Sequence, residues 1–356
     1  MNASTNTLPT ANRHPARMGA WLLMGLALPA SMLVALCIGR YPLTLPQVGS
    51  SLAALALPDS LNAWLPAISA AEHRVVTQVR LPRVLLSVLA GSSLALCGAA
   101  LQGAFRNPLV GPQILGISSG AAFGGCAAIL LFSSLWATLG LAFAGGLLAV
   151  AVVYLLGRSK GRTTILMLVL AGIVTSAFFS ALISLATYFA DPNDSLPAIV
   201  FWLMGSFATA SYIKLASAAL PILAGMGLLM ALRFRINILS LGDEQASALG
   251  IAVEPLRWLL LICTTLVVSA SVAVSGTVGW VGLVVPHIAR MLVGPDHRAL
   301  LPASALLGGT YMVWVDTVAR SATSAEIPLG VITALIGAPL FAWLLRRTQG
   351  QEMRHA

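Results

Sequence analysis

The chain alternates between long apolar runs and short polar breaks. Runs of spanning length fall near 18–38, 84–105, 113–132, 135–157, 164–187, 213–232, 257–276, 282–293, 300–318 and 328–345. A membrane crossing takes roughly 20 apolar residues as a helix. Lipid offers nothing to an open backbone, so each run is expected to be helical. The pattern predicts an all-α integral membrane fold of about ten transmembrane helices. Its domain plan is a tail at 1–17, a transmembrane domain at 18–347 and a second tail at 348–356.

The polar breaks carry elements of their own. Segment 40–80 holds Pro42, Pro46, Pro58 and Pro66 and reads as a partly helical extracytoplasmic loop. Segment 190–207, "ADPNDSLPAIVFWLMGSF", opens with turn formers and then turns apolar, which predicts a short helix at the outer interface. Segment 238–255, "ILSLGDEQASALGIAVEP", spaces Leu241, Gln245, Ala248 and Leu249 by three and four between Gly242 and Gly250. Asp243 and Glu244 stand at its start, where the helix dipole favours acids. That is a short amphipathic helix, exposed and capped.

Composition fixes the class. The 356 residues are 58% hydrophobic and 9% charged, against roughly 25% charged in soluble domains. The net charge of +9 lies between apolar runs rather than on one helix face, which argues against a nucleic-acid partner. With ten crossings from a cytoplasmic N-terminus, thirteen of the 20 Lys and Arg fall inside and six outside, Arg290 being ambiguous. That bias is the positive-inside pattern. It places both termini in the cytoplasm of a multi-pass inner-membrane protein.

A faint internal repeat appears on shifting the chain by 178 positions. Ser93 meets Ser271, Ala95 meets Ala273, Gly98 meets Gly276, Pro108 meets Pro286, and Gly116 meets Gly294. The two units would run in opposite directions through the membrane. Inverted repeats of this kind belong to transporters, with the pathway at the repeat interface.

The candidate chemistry is sparse. No GxxxxGK[ST] phosphate loop is present, so the chain carries no nucleotide site of that kind. Ion coupling would need an ionisable group in the membrane core. The candidate is Asp316, with Arg320 one turn away on the same helix face. A lone His287 without a second ligand at helical spacing does not make a metal site. Energy is therefore expected from another subunit, docking on the 238–255 helix. Arg80, Arg83 and Arg320 lie on the opposite side, against the charge bias, where they could anchor the interface or steer an acidic partner.

Three stretches resemble the signatures of the FecCD family, the permeases of type II ABC importers for iron–siderophore complexes, haem and cobalamin. They are "RLPRVLLSVLAGSSLALCGAALQGAFRNPLVGPQILGISSGA" (80–121), "GWVGLVVPHIARMLVGPDHRALLPASALLGG" (279–309) and "EIPLGVITALIGAPLFAWLL" (326–345). The resemblance implies a homodimer of ten-helix permeases, two cytoplasmic ATPases that bind ATP and magnesium, and one extracytoplasmic binding protein. The permease itself would need no cofactor. It further implies that Asn107 and Leu109, with Thr163 and Thr164 less securely aligned, form the cytoplasmic gate. By the same resemblance 238–253 is the coupling loop, and Arg80 and Arg320 meet acids of the binding protein. The cargo expected is a metal chelate, with iron(III)–siderophore first and haem, cobalamin or molybdate behind it. An ion-coupled carrier built on Asp316 is the reading from another class. Trp280 stands where many relatives have Phe or Ala.

Overall fold

The structure, a computed structural model, describes residues 13–57, 66, 68–132, 134–159, 162–163 and 165–352. In chain order the helices are α1 (Arg13–Cys37), α2 (Leu45–Ala56), α3 (Ala70–Arg74), α4 (Leu81–Phe105), α5 (Ile117–Phe132) and α6 (Leu135–Gly157). A small hairpin follows, β1 (Arg158–Ser159) antiparallel to β2 (Arg162–Thr163). Then come α7 (Ile165–Phe189), α8 (Ser195–Leu203), α9 (Tyr212–Ala231), α10 (Arg233–Leu239), α11 (Asp243–Ala248), α12 (Val253–Ser275), α13 (Val281–Val293), α14 (His297–Ser321) and α15 (Leu329–Glu352).

Every apolar run is a helix. Among the described residues six helical stretches are long and apolar enough to cross a membrane. The helices α5, α13 and the apolar part of α15 are shorter, at 10–17 residues. The interface helix expected within 190–207 is α8.

One boundary moved by more than a turn. The second span was expected to start near residue 84, yet the helix is continuous from Ala70 to Phe105. A π-type turn at Val75–Arg80 joins α3 to α4. Its start carries a capping box: the Glu72 N–H donates to Ser69 Oγ (3.2 Å), and the Ser69 N–H donates to the Glu72 carboxylate (2.7 Å), satisfying two orphan donors at once. Arg74, Arg80 and Arg83 interrupt the apolar run without interrupting the helix, because the last two are buried on internal partners described below.

The centre of the bundle is α4 and α12. Each buries 78% of its most apolar stretch, against 22–33% for α1, α6, α7 and α9, whose outward Leu and Phe side chains suit lipid. Small residues let α4 and α12 pack closely on their neighbours, as expected where lipid supplies no hydrophobic push. Gly91 of α4 lies against Gly308 of α14, and a Cβ on either would overlap the other's carbonyl. In the same way Gly146 of α6 lies against Ser269 of α12.

These two contacts are one contact seen twice. The first helix of each half packs on the third helix of the other half, as an inverted repeat requires. Ser93 and Ser271, repeat mates at the 178-residue shift, share a hydrogen bond between their own hydroxyls at 2.8 Å. A residue that touches its own counterpart lies on the pseudo-twofold axis. The shift holds for α4 and α12 and not beyond: Pro108 lies in the turn after α4, whereas Pro286 lies inside α13. The linker after α12 is shorter than that after α4, so the later pairings slip.

Proline 286 has a packing role. It has no N–H, so the Gly282 carbonyl loses its helical donor. That carbonyl instead faces Gly98 of α4, so closely that a Cβ there would overlap it.

Candidate functional site

The irregular segments after α4 and α12 meet at a partly exposed surface of the bundle. Gln113 of the first lies beside Gly279 of the second, where an added Cβ would stand 2.8 Å from its Nε2. Non-helical backbone at membrane depth is tolerated only where it lines a cavity or is buried in protein. Here it does both.

The turn after α4 is built by two local devices. Arg106 adopts φ +51 and closes a Schellman motif: its N–H donates to the Gly103 carbonyl (3.3 Å), and the Asn107 N–H donates to the Gln102 carbonyl (3.2 Å). A non-glycine residue in that conformation costs about 1–2 kcal/mol. Asn107 then makes an Asx turn, its Oδ1 accepting the Leu109 N–H at 2.9 Å. These bonds leave Leu109 projecting, 42% exposed.

Leu109, with Gln113 and Ile114, lines two cavities. One, of about 50 Å³, runs between Leu94, Gln113, Ser118, Val278 and Trp280. The other, of about 480 Å³, lies between the turn and Val169, Ile173 and Ser176 of α7. Among the described residues, no charged side chain lines either. Trp280 itself has φ +68, caps α13, and rests its ring on Gly337 beside Phe341 (centroids 6.3 Å apart). Thr164 lies outside the described residues. Thr163 pairs its backbone with Arg158 in the hairpin, and its side chain also lies outside them.

At the same end of the bundle stands α11. It is six residues long, shorter than the expected span. Gly242 (φ +135) and Gly250 (φ +79) bracket it. The Gly250 N–H donates to Ser247 and the Ile251 N–H to Ala246, a second Schellman motif. Ala246 faces inward, while Leu241, Glu244, Gln245, Ala248 and Leu249 are exposed. Leu241 and Leu249 are each 60% exposed beyond the membrane-spanning helices. Asp243 is tethered: Arg257 at the base of α12, 2% exposed, donates to both of its carboxylate oxygens at 2.8 and 3.0 Å.

At the other end the three candidate arginines lie together and are buried. Arg80 donates to the carbonyls of Leu36 (2.7 Å), Cys37 (3.0 Å) and Tyr41. Arg320 donates to Ile38 (2.8 Å) and Ala35. Between them they satisfy carbonyls that the end of α1 leaves without helical donors. Arg83 bridges Asp316 (2.8 Å) and Glu326 (2.8 Å). Asp316 has Arg320 at 3.6 Å, so the expected one-turn pair exists, but Arg83 from α4 is its nearer partner. The Arg83 hydrogen bond holds the Glu326 carboxyl below the usual glutamate range. A cavity of about 200 Å³ opens beside the cluster, lined by Arg40, Arg80, Arg83, Arg320 and Glu326.

Sequence reasoning missed Glu326 as a partner of Arg83, 243 positions away. The only signal was an acid next to a span in "AEIPLG".

A family model for the FecCD transport family matches residues 27–347. The chain belongs to the FecCD transport family. This FecCD permease is 46% identical over 326 residues to the molybdate import system permease protein MolB of Haemophilus influenzae, covering 91% of this chain and 95% of that one. It is 44% identical to a probable iron chelatin transport system permease protein of Helicobacter pylori, covering 78% and 83% of the two chains. Among solved structures it matches one described as an inward-facing conformation of a metal-chelate type ABC transporter. That match has a TM-score of 0.81 at 43% identity and covers 94% of this chain and 99% of the other. The FecCD permease is thus a multi-pass membrane protein of the ABC importer class, helical apart from the small hairpin.

Proposed function

We propose that this permease forms the membrane pathway of an ATP-driven importer that carries a metal chelate, iron(III)–siderophore foremost, into the cytoplasm. A second copy would complete the pathway, with two ATPases hydrolysing ATP on the α11 side and a substrate-binding protein on the Arg83 side. Residues 18–347 are the transmembrane domain in this reading, and both termini are cytoplasmic.

The observation that carries it is the pairing, at one end of the bundle, of the projecting Leu109 turn with the exposed apolar face of α11. The first is suited to a gate formed by Asn107 and Leu109. The second is suited to a cleft in an ATPase: exposed leucines beyond the membrane have no lipid to cover them. At the other end four arginines and a single carboxylate, Glu326, line an open cavity, which suits an acidic side chain of a binding protein. Cavities without charged lining suit a bulky chelate with apolar faces.

The test is reconstitution into proteoliposomes with its cognate ATPase and binding protein. ATP-dependent accumulation of an iron(III) hydroxamate is the expected result. No ATP-dependent uptake of any chelate or oxyanion would overturn the importer reading. Molybdate is the second cargo, favoured by the 46% identity to a molybdate permease. Uptake of molybdate with none of the iron chelate would select it.

A further inference from the structure

The gate turn and α11 are in contact within one chain, and the contact is ionic. Arg106, the strained residue that ends α4, stands immediately before Asn107. Its guanidinium lies 3.7 Å from the Asp243 carboxylate. That carboxylate is the one held from the other side by buried Arg257. Asp243 therefore has one fixed arm and one loose arm. The Arg257 arm is short and buried at the arginine; the Arg106 arm is long, with both side chains over 40% exposed. An exposed pair of this length is weak and screened by salt, as a contact that must break and reform should be.

The backbone choice sharpens this. A helix end at φ +51 is the ordinary place for glycine. An arginine there accepts strain that glycine would not, and its side chain is the link to α11. A second contact holds the same region together. Gly103, one turn earlier, lies against His297 and against Ile236 of α10, the helix that leads into α11, so closely that a Cβ would overlap the His297 ring. Asn237 of α10 accepts the His297 N–H at 3.1 Å.

We infer that Arg106 and Asp243 form a reversible ionic link that passes displacement of α11 directly to the Asn107–Leu109 turn of the same subunit. Arg106 is a positioning residue in this device. It acts on the turn from the end of α4, without itself lining either cavity beside Leu109. The inference rests on the gate and coupling roles proposed above.

The test uses the full permease assembled with its ATPase, in a Cys37→Ser background, since the other cysteines are buried. Leu109→Cys is labelled with a membrane-impermeant maleimide from the α11 side, with and without ATP and vanadate. The parent should show an ATP-dependent change in labelling rate. Arg106→Gln should lose that change while the ATPase stays bound and still hydrolyses ATP, and Arg106→Lys should restore it. A change as large in Arg106→Gln as in the parent overturns the link. So does loss of ATPase attachment in Arg106→Gln that Arg106→Lys fails to restore, which marks a merely structural arginine. No ATP-dependent change in the parent would sink the gate reading itself, which separates the two failures.

Discussion

Replacing Asp316 by asparagine removes one charge and almost no volume, at a site 1% exposed. Three short approaches from Arg83 and one longer approach from Arg320 then lose their ionic partner. Breaking a fully buried pair by neutralising one side costs about 3–5 kcal/mol, because the partner charge is stranded. Arg83 is not fully stranded, since it keeps both bonds to Glu326 at 2.8 and 2.9 Å. The cost should therefore fall to about 2–3 kcal/mol, below that range by roughly the worth of one charged hydrogen bond. At about 2 °C per kcal/mol for a large domain, the full chain in detergent should unfold about 4–6 °C lower. Asp316→Leu combined with Arg83→Met should recover only part of that loss, because the closest buried pair is removed together while Arg320 and Glu326 each lose a partner. The cycle of Asp316→Leu alone, Arg83→Met alone and the double variant gives the coupling energy. An Asp316→Asn protein that melts within a degree of the parent would refute the structural role. If it also failed to transport with the ATPase bound and active, Asp316 would be an ion relay instead.

Gly98→Val should abolish a monodisperse peak in size-exclusion chromatography, since its Cβ would overlap the Gly282 carbonyl; Gly140→Val, where an added Cβ meets nothing within 4 Å, should elute as the parent does. The pKa of Glu326 is lowered on folding, first by its hydrogen bond from Arg83. Its contribution to stability is thus complete above the ordinary glutamate value of about 4.3 and is lost as pH falls below it. The melting gap between the parent and Glu326→Gln should narrow as pH is lowered through that range, and a gap that stays constant would refute the assignment. Arg80→Glu with Arg320→Glu should weaken capture of the binding protein while the ATPase remains attached; unchanged capture would refute a docking role for these arginines.

The helices were legible because each is long, apolar and bounded by a polar break. Lipid leaves such a run one conformation. The start of α4 was hidden for the same reason: Arg80 and Arg83 look like the end of a span, and only the fold shows that carbonyls of α1 and the acids Asp316 and Glu326 receive them. The shape of α11 was visible in its flanking glycines and acids, although only six residues are helical. Its tether to Arg257 was not, because nothing local distinguishes a basic residue that anchors a loop from one that bears a partner. The Arg106 contact with Asp243 was hidden in the same way, the two standing 137 positions apart. Asn107 and Leu109 could be placed in a turn from Pro108 and Pro112, but the projection of Leu109 follows from the Asx bond, which composition does not reveal.

The serine pair on the repeat axis has a mechanical meaning. If the two halves of the chain rock against each other, points far from their shared axis exchange neighbours, while points on it only rotate in place. Ser93 and Ser271 would then act as a fulcrum. Their separation would stay constant through the transport cycle, whatever happens at Leu109, and so provide a fixed origin from which every other displacement in the molecule can be measured.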